Sequence, residues 1–338
     1  MKIGIITCFD AVNYGSFLQA FCLQEALKDL GANEVKMIKT TSLLYEKWRY
    51  TSLFTYKPSK IKFKLKLAKG YYRIWNLFDI TKDKTGYDLV IVGSDEMWNL
   101  KNITMKALPI FWGANIQARR LITYAVSCNN TTSEDVVKCK FVVNGLTKFD
   151  KISVRDISTQ KAFAPYVSGD IRFDVDPTLL INLNKYVIPT KEKNYILVYT
   201  YGFEQYMIDG VKKLAKDLNK EIIIVGQNFN WGDKRIPADA FEFLGLIKSA
   251  DLIVTDTFHG TVLSLGLKKQ VLSYANHKPK VFRILEQFDI LYRNVSNKKD
   301  LSEAYQNYID YKKIDVKIEE LRKNSLNYLK DEIRKVGV

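Results

Sequence analysis

One short segment combines residue types that can transfer protons and bind anions. His259, one of two histidines in the chain, stands in the run VTDTFHGT at residues 254–261. The run is typical of a strand that passes into a helix, where Asp256 or Thr257 can cap the helix and its free N–H groups face an anion. Histidine there can transfer protons near neutral pH or, when charged, bind phosphate. We predict that His259 is catalytic and that its neighbours bind substrate: Asp256, Thr257, Gly260 and Thr261; a purely structural histidine is the alternative.

A second candidate group follows the apolar run LVIV at residues 89–92. There, the Asp95 carboxylate can accept a proton from a sugar hydroxyl, and Trp98 can stack on a sugar face. We predict Asp95 as a catalytic base, with Ser94, Trp98 and Asn99 in substrate binding. The alternative is that Ser94 or Asp95 only caps the next helix.

Two more strand ends carry candidates. The loop at residues 7–16 leads into a helix, and its Asn13, Tyr14 and Gly15 can receive an anion at the helix N-terminus or can simply build a turn. Arg155 follows the strand at 152–154, where its guanidinium can clamp a phosphate or carboxylate through two hydrogen bonds, unless it only pairs with Asp156.

These candidates all follow strands in an alternation of strands and helices, which predicts doubly wound parallel sheets. The predicted strands are 3–7, 35–38, 89–92, 121–126, 152–154, 196–199, 221–225, 252–255 and 271–274, and the predicted helices are 15–30, 204–218, 241–249, 257–267 and 316–336. A polar run with Pro189 at residues 181–194 marks a domain boundary. We predict an N-terminal Rossmann-like domain (1–180) with a basic, aromatic insertion at 43–84, and a C-terminal one (181–338) whose last helix packs back across a domain.

Charge and composition limit the class of protein. The net charge is +15, and residues 45–84 hold eleven Lys or Arg against three acidic residues, interleaved with aromatics. This composition suits the headgroup region of an anionic membrane, so we predict peripheral membrane contact; a solvated basic face is the alternative. The chain lacks the signatures of nucleic-acid-binding folds, so nucleic acid is not an expected partner.

Several other classes are excluded by missing motifs. The four cysteines form no CxxC pair, and GxSxG, HExxH, GxGxxG and GxxxxGK[ST] are absent, so we expect no metal, no bound cofactor and no serine-hydrolase chemistry. The first seven residues are too short an apolar run for a signal peptide, and no run is long enough to span a bilayer. We therefore expect a water-soluble, cytoplasmic protein.

The strand-end motifs, taken in order, resemble the polysaccharide pyruvyl transferase family. The matching pieces are spread over about residues 1 to 290 and include KIGIITCFDAVNYGSFLQAF, DLVIVGSDEMWN, ITYAVS, ISVRDIST, DVDPTLL, DLIVTDTFHGTVLSLGLKKQVLSY and KVFRILEQF. The resemblance implies an α/β, glycosyltransferase-B-like fold with two doubly wound Rossmann-like domains facing a central cleft. It also implies transfer of a pyruvate group from phosphoenolpyruvate to a saccharide as a cyclic ketal, in capsule, exopolysaccharide or cell-wall polymer assembly.

The resemblance further implies roles for residues. The histidine of the family's histidine-glycine motif falls on His259, which would protonate the methylene carbon of phosphoenolpyruvate or stabilise the departing phosphate. Asp95 would assist the attacking hydroxyls, and Arg155 and Arg283 would clamp the donor. We expect a saccharide acceptor linked to a polyprenyl lipid.

The chain departs from the family pattern at Thr257. Family members with an assigned reaction often carry an arginine two residues before the histidine, and two anionic groups on phosphoenolpyruvate require cationic partners. Two alternatives therefore stay open, namely glycosyl transfer from a nucleotide sugar and non-catalytic saccharide binding.

Overall fold

The chain forms two compact units. The computed structural model describes residues 1–40, 45, 47, 55, 57–106, 108–276, 278–296 and 301–337. Unit 1 comprises Met1–Ser52, Trp75–Ile181 and Glu320–Val338, and unit 2 comprises Leu53–Ile74 and Asn182–Glu319. The inserted segment 43–84, which the sequence analysis assigned to the N-terminal domain, is thus divided between the units.

Strands and helices alternate over much of the described chain. Up to residue 173 they are β1 (Lys2–Ile6), α1 (Tyr14–Asp29), β2 (Glu34–Ile38), α2 (Pro58–Trp75), β3 (Ile80–Thr81), β4 (Tyr87–Val92), α3 (Ile103–Lys106), β5 (Ala118–Thr123), α4 (Ser133–Val137), α5 (Lys140–Leu146), β6 (Ile152–Val154), α6 (Ile157–Phe163) and β7 (Ile171–Phe173). The remaining ones are β8 (Tyr195–Tyr199), α7 (Gln205–Asp217), β9 (Glu221–Val225), β10 (Lys234–Ile236), α8 (Ala240–Ser249), β11 (Leu252–Thr255), α9 (Phe258–Gly266), β12 (Val271–Ser273), α10 (Pro279–Gln287), α11 (Leu301–Gln306) and α12 (Tyr311–Arg334).

Unit 1 is built on a parallel sheet with the order β3-β2-β1-β4-β5. Its central strands β1 and β4 are apolar and buried along almost their whole length, as expected for parallel strands covered on both faces. The strand order reverses between β1 and β4. In doubly wound sheets ligands bind beyond the carboxyl ends of the strands at this switch point, which here means the loops after β1 and β4.

Unit 2 repeats this topology with the order β10-β9-β8-β11-β12, again wholly parallel. Its switch point lies between β8 and β11. Strands β9 and β11 were predicted at their observed bounds, whereas the short strands β3, β7 and β10 were not predicted.

Helix α2 was not predicted. Its apolar side chains Phe63, Leu67, Tyr71 and Ile74 recur every three or four residues and are all buried, which is the pattern of an amphipathic helix packed on a core. Trp48, Tyr50, Phe54 and Tyr56, which contribute to the aromatic character of the predicted membrane segment, lie outside the described residues.

Two further properties concern the chain as a whole. Within the described ranges, no helix is both long enough and apolar enough to cross a bilayer. The four cysteines, Cys8, Cys22, Cys128 and Cys139, are all buried thiols.

Candidate active site

The switch point of unit 1 brings Ser16 and Asp95 together. Ser16, in the first turn of α1, donates its hydroxyl proton to Asp95 Oδ2 over 3.1 Å, and the backbone N–H of Glu96 donates to Oδ1 over 2.9 Å. The Asp95 side chain is still 18% exposed. Two donors therefore orient a carboxylate that solvent can reach, which is what a base for a hydroxyl substrate requires.

The backbone around Asp95 is held in an unusual conformation. Gly93 has a φ of 128°, and a Cβ there would lie 2.1 Å from the carbonyl oxygen of Tyr124, so only glycine fits. Asp95 itself has a φ of 83°, which costs a residue with a side chain on the order of 1 kcal/mol. Strain of this kind concentrates at functional sites, where the surrounding structure holds it in place.

Arg155 is buried beside Asp95 and pairs with carboxylates inside unit 1. Its Nη1 is 2.5 Å from Asp176 Oδ2, its Nη2 is 4.0 Å from Asp95 Oδ1, and the Arg155 side chain is only 5% exposed. This differs from both sequence-based interpretations, because Asp156 instead caps α6 by accepting the N–H of Thr159 over 2.9 Å. The guanidinium charge is engaged by internal carboxylates, so Arg155 positions Asp95 and does not clamp the donor.

The prediction that Trp98 stacks on a sugar is wrong. Trp98 is fully buried, lies parallel to Trp112 with ring centroids 5.2 Å apart, and donates its indole N–H to the Phe111 carbonyl over 3.0 Å. Asn99 is also buried, and its amide donates to Glu96 Oε2 over 3.3 Å. Trp98 and Asn99 therefore support the loop of Asp95 from inside the fold.

The polar residues near the start of α1 also act within the fold. Ser94 is fully buried and donates to Gln19 Oε1 over 3.1 Å, while Asn13 caps α1 by accepting the N–H of Ser16 over 3.1 Å. Tyr14 and Gly15 are buried in the first turn. These four residues were predicted to bind substrate, but the contacts show that they hold the helix start that presents Ser16.

Glu96 is a neighbour that the sequence analysis did not select. It is half-buried and accepts a hydrogen bond from Asn129 Nδ2 over 2.9 Å. The sequence signal that could have identified Glu96 is its position next to Asp95, shortly after a buried strand.

At the switch point of unit 2, β11 leads into α9 and His259. Thr257 is the N-cap of α9, and its hydroxyl accepts the N–H of Gly260 over 2.9 Å. His259 is therefore the second residue of the helix, where backbone N–H groups are not used within the helix and the helix dipole favours an anion. The half-buried ring meets the Phe258 ring edge to face at 5.2 Å.

The residues after His259 close the turn and are buried inside unit 2. A Cβ on Gly260 would lie 2.3 Å from Thr255 Oγ1 and 2.6 Å from Thr257 Oγ1, so the turn requires glycine. Thr261 is fully buried and donates its hydroxyl proton to the Thr257 carbonyl over 3.0 Å. The substrate-binding roles predicted for Gly260 and Thr261 are therefore wrong; both hold His259 in place.

Asp256 is the buried carboxyl nearest in sequence to His259. Its Oδ2 lies 3.6 Å from Lys278 Nζ, and its Oδ1 has no hydrogen-bond partner among the described residues. Burial raises the pKa of Asp256, against the opposing effects of Thr200 and Lys278. The Asp256 carboxyl therefore keeps its proton to a higher pH than an exposed aspartic acid does.

Asp256→Asn is expected to increase the free energy of unfolding at pH 7. A raised folded-state pKa means that stability is lost as pH rises through that pKa, and asparagine cannot ionise. The gain should shrink as the pH falls towards the ordinary carboxyl value of about 4. Urea unfolding across this pH range measures it, with Asp289→Asn, a carboxylate that is 84% exposed, as the control. A variant that is less stable at every pH would contradict the prediction.

Cationic side chains lie on the segment that follows β12. Lys278 immediately precedes α10, which packs against α9, and Arg283 lies one turn into α10. Arg283 Nη1 is buried and lacks a hydrogen-bond partner within the described part of the chain. A buried, unsatisfied guanidinium nitrogen is costly without an anion, so Arg283 fits the predicted role of donor clamp better than Arg155 does.

Each unit has a parallel, doubly wound sheet with polar groups at its switch point. The protein therefore has two Rossmann-like units and a fold of the glycosyltransferase-B-like type. The family is also defined, because the model of the polysaccharide pyruvyl transferase family matches residues 13–278, more than half of the chain. The chain belongs to this family, and the family indicates a transferase that acts on polysaccharide. No curated protein matches the sequence significantly.

Three solved structures that are similar to this chain are two epimerases and a heptosyltransferase. The UDP-GlcNAc 2-epimerase from Neisseria meningitidis bound to UDP-GlcNAc superimposes with a TM-score of 0.50 at 12% identity, covering 99% of each chain. The UDP-GlcNAc 2-epimerase from Methanocaldococcus jannaschii gives 0.49 at 13% identity over 94% of this chain and 92% of that one. The E. coli heptosyltransferase WaaC with ADP gives 0.41 at 12% identity over 83% and 89%. At these identities the Neisseria likeness shows the fold alone.

Proposed function

We propose that the protein transfers a pyruvate group from phosphoenolpyruvate to a saccharide and forms a cyclic ketal. The observation that carries the proposal is the position of His259 in the first turn of α9, held by the Thr257 cap and the close packing of Gly260. An imidazole there can donate a proton while neighbouring backbone N–H groups receive phosphate.

The proposed reaction runs in two additions to one carbon. His259 protonates the methylene carbon of phosphoenolpyruvate, and the adjacent carbon acquires oxocarbenium character. One sugar hydroxyl bonds to that carbon, the bond to phosphate oxygen breaks, and a second hydroxyl of the same sugar then bonds to it. Of the two hydroxyl protons, one restores His259 and the other leaves with phosphate.

The remaining groups have supporting roles in this proposal. Asp95 is the proposed base, because Ser16 and the Glu96 N–H orient its part-exposed carboxylate. Arg283 and Lys278 supply positive charge for the donor, in place of the arginine that Thr257 replaces. Thr257 serves as a helix cap here, so the donor's cationic partners must come from other positions.

The test is phosphate release from phosphoenolpyruvate in the presence of a lipid-linked saccharide extract. We expect release that requires both the extract and native protein and that is absent with His259→Ala. Protection from thermal unfolding by phosphoenolpyruvate is the second readout, since a ligand of the folded state raises Tm. No release, combined with protection by a nucleotide diphosphate, would replace this proposal with glycosyl transfer from a nucleotide sugar. Full function in the His259 variant would indicate non-catalytic saccharide binding.

We also propose that the acceptor is a polyprenyl-linked saccharide at the cytoplasmic face of an anionic membrane. Phe63, Tyr71 and Phe78 of the basic segment are buried and cannot contribute to membrane contact. Support comes instead from the outer face of α2, where Ile61, Leu65 and Tyr72 are 43%, 65% and 72% exposed. An exposed apolar stripe beside lysines is typical of helices that lie in the membrane interface.

Substituting this stripe should abolish vesicle binding. Leu65→Asp with Tyr72→Ser removes the apolar contact and keeps every lysine, so we expect co-sedimentation with phosphatidylglycerol vesicles to be lost. Charge reversal of Lys60, Lys62, Lys64 and Lys66 should have the same effect. The control is Val316→Asp, because Val316 is 70% exposed on another helix. Unchanged sedimentation of the α2 variants would contradict membrane contact through this helix.

A further inference from the structure

Unit 2 contains a cavity that none of the predicted site residues lines. It has a volume of about 580 Å³ and lies between α2 and the residues that follow β9 and β10, including Asn228, Asn230 and Pro237. Its size is within the range of roughly 300 to 1,000 Å³ that is usual for small-ligand sites. The cavity lies beyond the carboxyl ends of β9 and β10, away from the switch point between β8 and β11.

All the described charged residues that line the cavity are positive. Five cationic side chains line it: Lys57, Lys60, Lys62, Lys66 and Arg235. Among the described residues the lining contains no carboxylate. Two of these lysines also stand at the start of α2, an 18-residue helix with no acidic residue in its first turn, so the helix dipole adds to the positive potential.

Polar and close-packing contacts fix helix α2 within unit 2. Arg73 pairs with the buried Asp239, which also caps α8 by accepting the N–H groups of Phe241 and Glu242. A Cβ on Gly70 would lie 3.1 Å from Asp239 Cβ, so the helix approaches the loop closely at this point. The packed helix therefore holds these lysines next to the residues that follow β9 and β10. The folded protein keeps the like charges close together in spite of their repulsion.

We propose that this cavity, the cationic cavity, binds the diphosphate group of an organic diphosphate. Five convergent cations match a group with several negative charges, and the amides of Asn228 and Asn230 can donate hydrogen bonds to its oxygens. Phe63 and Phe229 also line the cavity and make part of its wall apolar. Two sources share this chemistry, an isoprenyl diphosphate that carries a saccharide and a nucleoside diphosphate.

The first measurement is calorimetric titration with inorganic pyrophosphate at low ionic strength. We expect saturable binding that weakens with salt and that Lys62→Glu or Arg235→Glu reduces by at least about tenfold. The matched control is Lys69→Glu, which makes the same change of charge at an exposed position of α2 that does not line the cavity. All three altered side chains are exposed, so we expect the variants to unfold at the native temperature, which a thermal scan checks.

Two further ligands distinguish the sources. Tighter binding of farnesyl diphosphate than of pyrophosphate, with uridine diphosphate no tighter, would support the isoprenyl source. The reverse order would support the nucleotide source. Either result supports binding in the cationic cavity only if Lys62→Glu weakens the binding of that ligand as much as it weakens the binding of pyrophosphate.

The proposal is overturned if native protein shows no saturable pyrophosphate binding, or if Lys69→Glu weakens it as much as Lys62→Glu does, because binding would then reflect only the general positive field. The titrations contain neither phosphoenolpyruvate nor acceptor. Their outcome therefore does not depend on whether the protein catalyses pyruvyl transfer.

Discussion

Replacing His259 by glutamine is expected to lower the rate of acceptor-dependent phosphate release by about 10²- to 10⁴-fold, the range for loss of a general acid. Glutamine keeps an N–H donor near the position of the imidazole but cannot transfer a proton. The thermal unfolding temperature should change little, because His259 is half-buried in the first turn of α9 and Thr257 still caps that helix.

The comparison with alanine separates two roles for this side chain. If His259 transfers a proton, Gln and Ala variants should lose activity to a similar extent. If it only binds phosphate through an N–H, the Gln variant should retain much more activity than the Ala variant. Native activity in the Gln variant would remove His259 from the chemistry.

Arg155→Met is expected to lower the free energy of unfolding by about 3 to 5 kcal/mol, the usual cost of removing one partner of a buried ion pair. The substitution keeps the length of the side chain but leaves Asp176, whose side chain is 1% exposed, without its cation. Because Arg155 also lies 4.0 Å from Asp95, activity should fall together with stability. Urea unfolding at pH 7 measures the change.

The matched control is Arg119→Met. Arg119 is 68% exposed and lies 3.5 Å from Asp88 at the surface, so the same substitution should cost less than about 1 kcal/mol. Equal losses in the two variants would show that the Arg155 pair contributes no more than a surface pair.

The parts of the fold that local sequence determines were predicted well. The strand at 252–255 is apolar along its whole length, and the turn after it contains its own cap, so both β11 and the start of α9 were predicted to within a residue. Helix α2 was missed because its lysines dominate its composition. Its contacts also involve residues far away in sequence, such as Asp239, which pairs with the exposed Arg73.

The side chains of the site were harder to predict than its backbone. The pairing of Arg155 with Asp176 joins residues from two different loops, and no local pattern favours it over the adjacent Asp156. Trp98 follows a strand at the functional edge of the sheet, but its burial is decided by Trp112, which a local pattern does not reveal. Strand ends thus locate the candidate site, while tertiary packing decides which of its side chains are buried.

The close packing around Gly260 affects how the histidine-glycine pair can be used as a signature. The glycine is required because two threonine hydroxyls leave no space for a methyl group, whatever reaction the protein performs. A descendant that lost catalysis would still be selected to keep this residue for folding. Finding the glycine in a related genome therefore diagnoses inheritance of the turn and does not report on activity.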